Sequence, residues 1–243
     1  MKTFHFVMQA KGGVGKSFLV YLYALGLEQE PGALFLDVDN STKTSDRQLA
    51  FLRTQPGNRL AKLSLVNERA KQDRQLLIRS VLELGRLDYT QYFLDFGAPE
   101  SEQFPALLEQ DMPAELLRRV ETQTASRFVF YVVIGGNTAF KPCMEYLATL
   151  VSRLEGAFTL IAHPNQYSFV GPARHEQLAM LTEFCAQNRL GLVPFGAIDM
   201  ESEVGRQIVH YAQLGKGLSE YDFLERLLVE KQIEGLQVEK THN

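Results

Sequence analysis

The chain has little of what marks a secreted, metal-binding or membrane-spanning protein. Its 243 residues include two cysteines, Cys143 and Cys185, which lie far apart in the sequence. This pattern predicts reduced thiols in a cytoplasmic protein rather than a disulfide framework or a metal site. No apolar run approaches the roughly 18 residues of a transmembrane helix. The five histidines show no metal-ligand spacing, and Met1–Met8 predicts a first strand rather than a signal peptide.

An excess of positive charge is also missing from the chain as a whole. The formal net charge is −4, which predicts solubility and no general attraction to nucleic acid. Residues 43–86, which we call the basic segment, depart from this balance because they include only four acidic residues. Its ten basic residues are Lys43, Arg47, Arg53, Arg59, Lys62, Arg69, Lys71, Arg74, Arg79 and Arg86. The bias is typical of a contact surface for DNA or another acidic partner, or of a solvated helix face whose arginines cover apolar neighbours.

Apolar segments alternate with helical patterns along the chain. The predicted strands are Thr3–Gln9, Ala33–Val38, Leu60–Val66, Gln91–Phe96, Phe128–Ile134, Ala157–His163 and Leu190–Pro194. The predicted helices are Gly15–Glu28, Thr44–Arg53, Arg69–Leu84, Ala114–Thr124, Phe140–Arg153, Gly171–Asn188, Glu201–Ala212 and Ser219–Ile233. This alternation predicts one α/β domain over residues 1–243, in which a mainly parallel, twisted sheet of about seven strands has helices on both faces. Residues 219–243 are expected to form its C-terminal helix and tail.

A glycine-rich loop follows the first predicted strand and precedes the first predicted helix. It reads Lys11, Gly12, Gly13, Val14, Gly15, Lys16 and Ser17. The glycines allow the backbone to wrap around phosphate oxygens, and the start of the helix attracts the anion. In this pattern Lys16 would reach the β- and γ-phosphates, and the Ser17 hydroxyl would coordinate Mg²⁺. The sequence therefore predicts a P-loop nucleotide site formed by residues 11–18, which includes Phe18.

Carboxylates follow two other predicted strands. Asp37 and Asp39 end the second strand, and Asp95 ends the fourth. Ligands of parallel sheets bind beyond the carboxyl ends of the strands, so these side chains would lie near the loop. Such an aspartate can hold Mg²⁺, usually through water, although strand-end aspartates also serve as loop or capping residues. The triplet at 95–97 reads D-F-G, but the glycine loop and catalytic loop of a protein kinase are absent.

The loop K-G-G-V-G-K-S resembles the deviant Walker A motif of the ParA/MinD ATPases, which are P-loop proteins of the SIMIBI class. In that family the first lysine, here Lys11, reaches across a nucleotide-sandwich homodimer to the ATP of the partner. The resemblance implies binding of ATP and Mg²⁺, an ATP-dependent dimerisation switch, and slow, partner-stimulated hydrolysis. It implies catalytic roles for Lys11, Lys16 and Asp39. Of these, Asp39 would orient the attacking water. Ser17, Asp37 and Asp95 would serve the metal.

The resemblance also implies where the adenine would bind. The family flanks the base with an asparagine after a late strand and with a proline-containing loop after the last strand. The matching candidates are Asn165, with His163 as an alternative, and Pro194. The chain departs from the family at Asn40-Ser41, where Pro-Gln is common, and in its sequence D-F-G-A in place of Asp-x-x-Pro.

A narrower resemblance is to the TraL-like proteins of plasmid conjugal transfer regions. Those proteins are similar in Gln9–Ser17, in D-x-G-A at Asp95–Ala98 and in Gly135-Gly136. The implied function is a switch ATPase in conjugal transfer or DNA maintenance, with a protein partner.

Other functions stay open at this point. They are a DNA-partitioning ParA-type ATPase, a nucleotide-binding scaffold with little hydrolysis and, more remotely, a small-molecule kinase, which would leave Lys11 unexplained. Membrane binding by the C-terminal helix is not expected, since its acidic residues would be repelled by anionic lipid.

Overall fold

The computed structural model describes residues 1–38, 44–54, 57–65 and 75–236. Within them, seven strands form one parallel sheet in the order β3-β2-β4-β1-β5-β6-β7. The strands are β1 (Lys2–Met8), β2 (Ala33–Asp37), β3 (Leu60–Lys62), β4 (Gln91–Asp95), β5 (Ser126–Ile134), β6 (Thr159–Pro164) and β7 (Gly191–Leu192). The predicted α/β fold with a parallel sheet is therefore confirmed, although Val66 of the third predicted strand lies outside the described residues.

Helices connect and cover the strands. They are α1 (Lys16–Gly26), α2 (Thr44–Gln48), α3 (Phe51–Thr54), α4 (Gln75–Leu84), α5 (Ala98–Ala106), α6 (Ala114–Thr124), α7 (Phe140–Leu154), α8 (Arg174–Asn188), α9 (Glu203–Leu214) and α10 (Phe223–Gly235). Helix α5 continues into a π-helical turn, Leu107–Asp111. No helix in these described ranges is long and apolar enough to cross a membrane.

The strand order determines which face of the sheet each helix covers. The chain moves outward in one direction from β1 through α1 to β2, and in the opposite direction from β4 onward. Because parallel crossovers are right-handed, helices of opposite direction lie on opposite faces. Helix α1 accordingly packs with α2 and α10, while α4, α6, α5, α7 and α8 pack among themselves. The direction reverses between β1 and β4, and this crevice is where such sheets bind ligands.

Phenylalanines dominate the centre of the sheet. Phe4 and Phe6 of β1 are at most 2% exposed, as are Phe93, Phe128 and Phe130 on the neighbouring strands. The ring of Phe6 stacks on Phe130 with centroids 5.0 Å apart, and Phe4 meets Phe128 edge-on at 5.6 Å. Cutting one such ring back to alanine typically costs about 3–5 kcal/mol. The central strands therefore form a rigid base for the loops at their carboxyl ends.

Helix α5 is an element that the sequence pattern does not predict. Its residues, APESEQFPA, carry two prolines and lack a clear apolar stripe. The first proline, Pro99, lies in the first turn, where a missing N–H costs nothing. The second, Pro105, lies just before the change to the π-helical turn. Tertiary contacts rather than periodicity stabilise the helix, since Ser101 and Phe104 are buried against the sheet and α7.

Candidate functional site

The glycine-rich loop leaves the end of β1 and turns directly into α1. Gly13 and Gly15 have φ values of 76° and 103°, a left-handed region in which a side chain is strained. Gly15 caps α1, and its carbonyl accepts the amide of Leu19 at 3.0 Å. Apart from the chain neighbours of each glycine, no atom of the described residues lies within 4 Å of the position that a Cβ on Gly12 or Gly13 would take. The loop therefore presents open space above its backbone at the start of a helix, as an anion site requires.

Lys16 lies beneath this loop. The residue is 8% exposed, and its Nζ donates to the carbonyl oxygen of Gln9 at 2.9 Å. This contact turns the Lys16 side chain back towards Gln9, which precedes the loop. The backbone turn and the cation thus approach the same space, which is the arrangement expected for a phosphate cradle. The side chain of Lys11, by contrast, is exposed.

Gln9 is a functional candidate that motif reasoning missed as a positioning residue. It is fully buried, and its Nε2 donates to the carbonyl of Val133 at 2.9 Å. Its Oε1 accepts the backbone amide of Lys11 at 3.2 Å, while its own carbonyl holds Lys16. The Gln9 side chain therefore ties the start of the loop to β5, while its backbone carbonyl holds the lysine at the end of the loop. The signal available in the sequence was a polar residue ending an otherwise apolar strand.

The two carboxylates Asp37 and Asp95 lie side by side at the carboxyl edge of the sheet. They occupy the same register on the paired strands β2 and β4, and Asp95 is also level with Val7 of β1. Both are almost completely buried, at 0% and 1% exposure. The structure thus brings them together beside the loop. Asp39, predicted to orient water, lies outside the described residues, as do Asn40 and Ser41.

Ser45 of α2 joins Asp95 to the loop, although no motif singled it out. It is 3% exposed, and its Oγ lies 3.0 Å from the Oγ of Ser17. The same hydroxyl hydrogen-bonds to a carboxylate oxygen of Asp95. Two hydroxyls and a carboxylate therefore converge, next to the second carboxylate, Asp37. Oxygen donors of this kind are the ones that Mg²⁺ prefers, so the residues fit the predicted cation.

The segment after β4 is linked to the same strand edge. The Gly97 carbonyl accepts the Ser101 hydroxyl at 2.8 Å, and the Ser101 Oγ in turn accepts the backbone amide of Gln9 at 3.1 Å. The amide of Phe96 also donates to the carbonyl of Val7 at 3.0 Å. The D-F-G-A stretch is therefore held against the loop that follows β1.

Asn165 closes the glycine-rich loop on its other side. Its Nδ2 donates to the carbonyl of Val14 at 3.0 Å. A Cβ on Gly15 would lie 2.7 Å from this Nδ2, and one on Gly196 would lie 2.4 Å from the Oδ1. The side chain is thus inserted between two glycines, one from the loop and one from the turn after β7. The Oδ1 is buried and has no hydrogen-bond partner among the described residues.

The two predicted base-binding residues, Asn165 and Pro194, lie beside an open cleft without lining it. The cleft measures about 750 Å³ and includes Gln166, Tyr167, Gly196 and Asp199 in its walls. Pro194 is exposed immediately before this turn, and Asn165 lies at its other border. Both predicted strand-end loops therefore border one cleft, which has the size of a ligand pocket.

Three further positions singled out in the sequence are packed against other parts of the protein. His163 is fully buried, with its Nδ1 2.8 Å from the carbonyl oxygen of Val193, so it faces the core rather than a ligand. Phe18 is half-buried on α1, with its ring 6.4 Å from that of Tyr21. Gly136 follows β5 and could not carry a side chain, because a Cβ would lie 2.5 Å from the Ser168 carbonyl oxygen.

A network of buried aromatic and imidazole groups lies behind the site. The Nδ1 of His5 is 2.9 Å from the Tyr131 hydroxyl, and the Tyr131 ring stacks on Tyr23 of α1 at 5.4 Å. His163 meets Tyr131 edge-on at 4.9 Å. Burial, which penalises the imidazolium form, lowers the pKa of both His5 and His163 to about 3. Both imidazoles are therefore neutral at physiological pH.

The basic segment offers less surface charge than its sequence suggests. Arg59 is 2% exposed, and its guanidinium donates to the carbonyls of Leu27, Glu28 and Glu30. Arg53 forms an ion pair with Asp46. Lys43, Arg69, Lys71 and Arg74 lie outside the described residues. Within the described part, Arg47, Lys62, Arg79 and Arg86 are exposed, as is the ion-paired Arg53.

The described residues also bear on metal binding and on the state of the two cysteines. Among residues 1–38, 44–54, 57–65 and 75–236, no group of three or more His, Cys, Asp or Glu side chains is placed to hold a metal ion. Cys143 and Cys185 are both buried and free. A cation at this site would therefore depend on hydroxyl groups and ligand phosphates as well as on carboxylates.

Comparison with known proteins identifies the fold. No family model matches the sequence, and a search of curated proteins finds no match. The structure is similar to MinD in the MinC:MinD cell division complex of Aquifex aeolicus, with a TM-score of 0.55, 12% identity, and 97% of this chain and 96% of that chain covered. MinD of Aquifex aeolicus gives 0.53 at the same identity and coverage. A plasmid partition protein of Borrelia burgdorferi gives 0.45 at 13% identity, covering 88% of this chain and 96% of that one.

Proposed function

We propose that this chain, which has the fold of MinD, is a P-loop ATPase of the ParA/MinD type that acts as an ATP-dependent dimerisation switch. The observation that carries the proposal is the combination of two lysines in one loop. Lys16 is buried and held at the Gln9 carbonyl, whereas Lys11 is exposed at the mouth of the same loop. A buried cation serves the nucleotide of its own chain, and an exposed cation can reach that of a second chain.

We assign the roles of the site residues from their contacts and, for Asp39, from the family resemblance alone. Backbone amides of the loop at residues 12–17 bind phosphate oxygens, and Lys16 neutralises the charge that builds up during transfer. Ser17, with Asp37 and Asp95 acting through water, would hold Mg²⁺. When bound, the cation would neutralise and orient the terminal phosphates. Asp39 would orient the attacking water. Hydrolysis then ends the state that presents the dimer surface, so it limits the lifetime of an assembly.

The cleft between the ends of β6 and β7 is the proposed site of the adenine. Asn165 and Pro194 border this cleft, and Asn165 already contacts the loop carbonyl of Val14. The buried Oδ1 of Asn165 is an acceptor suited to the exocyclic amine of adenine. Nucleotide binding would therefore involve the same side chain that fixes the loop.

The biological setting that we propose is plasmid conjugal transfer or DNA maintenance, in the cytoplasm and with a protein partner. It rests on the resemblance of Gln9–Ser17 and Asp95–Ala98 to TraL-like proteins. Direct DNA binding is the second candidate, because five basic-segment residues are exposed in the described part of the chain, one of them, Arg53, in an ion pair. ATP-dependent, salt-sensitive binding to non-specific duplex DNA would support it.

Light scattering tests the switch. With ATP and Mg²⁺ the wild type should reach twice the 27.5 kDa mass of one chain, and with ADP it should remain monomeric. Lys11→Ala should bind ATP yet stay monomeric, while Lys16→Ala should lose ATP binding in calorimetry. Lys231→Ala, which removes an exposed lysine of α10, is the matched control and should still dimerise. An ATP-dependent dimer that persists in Lys11→Ala would overturn the proposal.

A further inference from the structure

The outward face of α10 is apolar over its first two turns. Phe223, Leu224, Leu227 and Leu228 are exposed to 77%, 51%, 46% and 36%, respectively. Their spacing places them along one side of the helix, and we call them the α10 stripe. The opposite side of α10 is also apolar, since Val229 is fully buried. A helix that is apolar on two sides is typically buried on both of them.

The α10 stripe differs from ordinary scattered exposure. The other large apolar side chains that are exposed in the described ranges are Met1, Leu87, Leu116, Tyr167, Val170, Met180 and Leu214, spread over several other elements. The four residues of the stripe together present on the order of 300–400 Å² of apolar surface. Contiguous patches of that size often mark interaction sites.

Acidic side chains border the α10 stripe. They are Glu225, Glu230 and Glu234 of α10, whereas Glu220 accepts the amide of Gly217 and Asp222 accepts the hydroxyl of Tyr211. The basic residues nearby are Arg226 and Lys231, and Arg226 is turned back on its own chain. Its guanidinium donates to the carbonyls of Ser219 at 3.1 Å and Tyr221 at 3.2 Å. Three carboxylates thus stand against one exposed cation, Lys231, so the border of the stripe has an excess of negative charge.

This charge selects among the surfaces that could cover the stripe. An anionic membrane would be repelled by the carboxylates. A second copy of the chain packed across a two-fold axis would place the same acidic border against itself, which like charges oppose. A basic amphipathic helix has neither conflict, because its apolar face meets the leucines while its lysines or arginines meet the carboxylates.

We propose that the α10 stripe is the docking site for an amphipathic helix of a partner protein, with large apolar side chains on one face and basic side chains beside them. The site lies on an exterior helix and does not depend on the nucleotide function proposed above. Glu225 and Glu230 are the carboxylates assigned to the partner's basic residues, and Leu224 and Leu227 are the apolar anchors.

A synthetic peptide tests the proposal without knowledge of the natural partner. The probe is a fluorescein-labelled helical peptide with leucine on one face and lysine on the other, and binding is followed by fluorescence anisotropy. A peptide with glutamate in place of each lysine is the comparison. The full-length wild type should bind the leucine–lysine peptide about ten-fold more tightly than the leucine–glutamate peptide.

Variants distinguish the α10 stripe from the rest of the surface. Leu224→Ser combined with Leu227→Ser should weaken binding of the leucine–lysine peptide about ten-fold. Met180→Ser, at a residue of α8 that is 53% exposed, is the matched control and should bind like the wild type. Glu225→Gln with Glu230→Gln should weaken binding about three-fold and reduce its salt dependence. Circular dichroism confirms that each variant is folded.

Three results would overturn the proposal. One is equal binding of the two peptides, and another is unchanged affinity in the Leu224→Ser/Leu227→Ser variant. The third is a different occupant of the stripe. A nucleotide-independent dimer that this variant abolishes would assign the stripe to a second copy of the chain. Sedimentation with phosphatidylglycerol vesicles that this variant abolishes would assign it to lipid.

Discussion

The two buried imidazoles should make the protein strongly sensitive to mild acid. His5 and His163 are 1% and 0% exposed, and burial lowers the pKa of each to about 3 from 6.5. A histidine with a lowered pKa in the folded state favours folding fully above 6.5. That contribution is lost as the pH falls from 6.5 towards 3, because the unfolded chain takes up protons that the folded chain refuses.

The size of the effect follows from linkage. Each imidazole changes the free energy of unfolding by about 1.4 kcal/mol per pH unit within this window. Two imidazoles together give about 2.7 kcal/mol per unit, so lowering the pH from 6.5 to about 4.5 would remove about 5 kcal/mol. A domain typically has only about 5–15 kcal/mol of stability. The protein should therefore lose much of its stability between these two pH values.

Urea unfolding at a series of pH values measures this slope. Circular dichroism is the suitable signal, because the chain has no tryptophan whose fluorescence could be followed. His163→Asn retains an amide donor for the Val193 carbonyl but has no titration in this range. Its slope of unfolding free energy against pH should be lower than that of the wild type by about 1.4 kcal/mol per unit. Met180→Ser changes an exposed residue of α8 that does not titrate and should leave the slope unchanged. Equal slopes in the wild type and His163→Asn between pH 4.5 and 6 would refute the reasoning.

Three further predictions concern the loop. Gly15→Ala should abolish ATP binding in calorimetry, because the new Cβ would lie 2.7 Å from Asn165 Nδ2 at a φ of 103°, whereas Gly235→Ala, at an open position, should bind normally. Gln9→Leu should weaken ATP binding about ten-fold by freeing the Lys11 amide and the Val133 carbonyl from the Gln9 side chain, and binding equal to wild type would contradict its positioning role. Ser45→Ala should change the Mg²⁺ concentration needed for binding of a fluorescent ATP analogue, with little change in the metal-free affinity. An unaltered Mg²⁺ dependence would remove Ser45 from the cation site.

The sheet was predictable because its strands are continuous apolar runs. Parallel strands covered on both faces need such runs, and β1, β4 and β5 supply the central phenylalanines. The glycine-rich loop was predictable for a different reason, since its glycines and lysines occupy fixed positions relative to a strand and a helix. Helix α5 was not, because its prolines and polar residues give no periodicity until the sheet and α7 bury one side of it.

Residues that act through individual long-range contacts could not be predicted from the sequence. Ser45 lies 28 positions from Ser17 in the chain and 50 from Asp95, yet it hydrogen-bonds to both. A serine in a short polar helix carries no pattern that predicts such a contact. Arg59 shows the opposite limit, because a residue counted towards a basic surface is in fact buried and binds carbonyls. Charge counting cannot distinguish an arginine that caps backbone groups from one that faces solvent.

Helix α1 connects the nucleotide site physically to the proposed docking helix. It begins at Lys16 in the loop and ends at Gly26, where a Cβ would lie 2.6 Å from Ile233 of α10, so the two helices are in close contact. Gln232 of α10 accepts a hydrogen bond from the backbone amide of Ala197, which lines the cleft after β7. Contiguous packing alone does not establish coupling. If coupling exists, linkage requires that ATP change the affinity for the leucine–lysine peptide by the same factor as the peptide changes the affinity for ATP. Measuring both affinities therefore tests whether a partner on α10 regulates the switch or only tethers it.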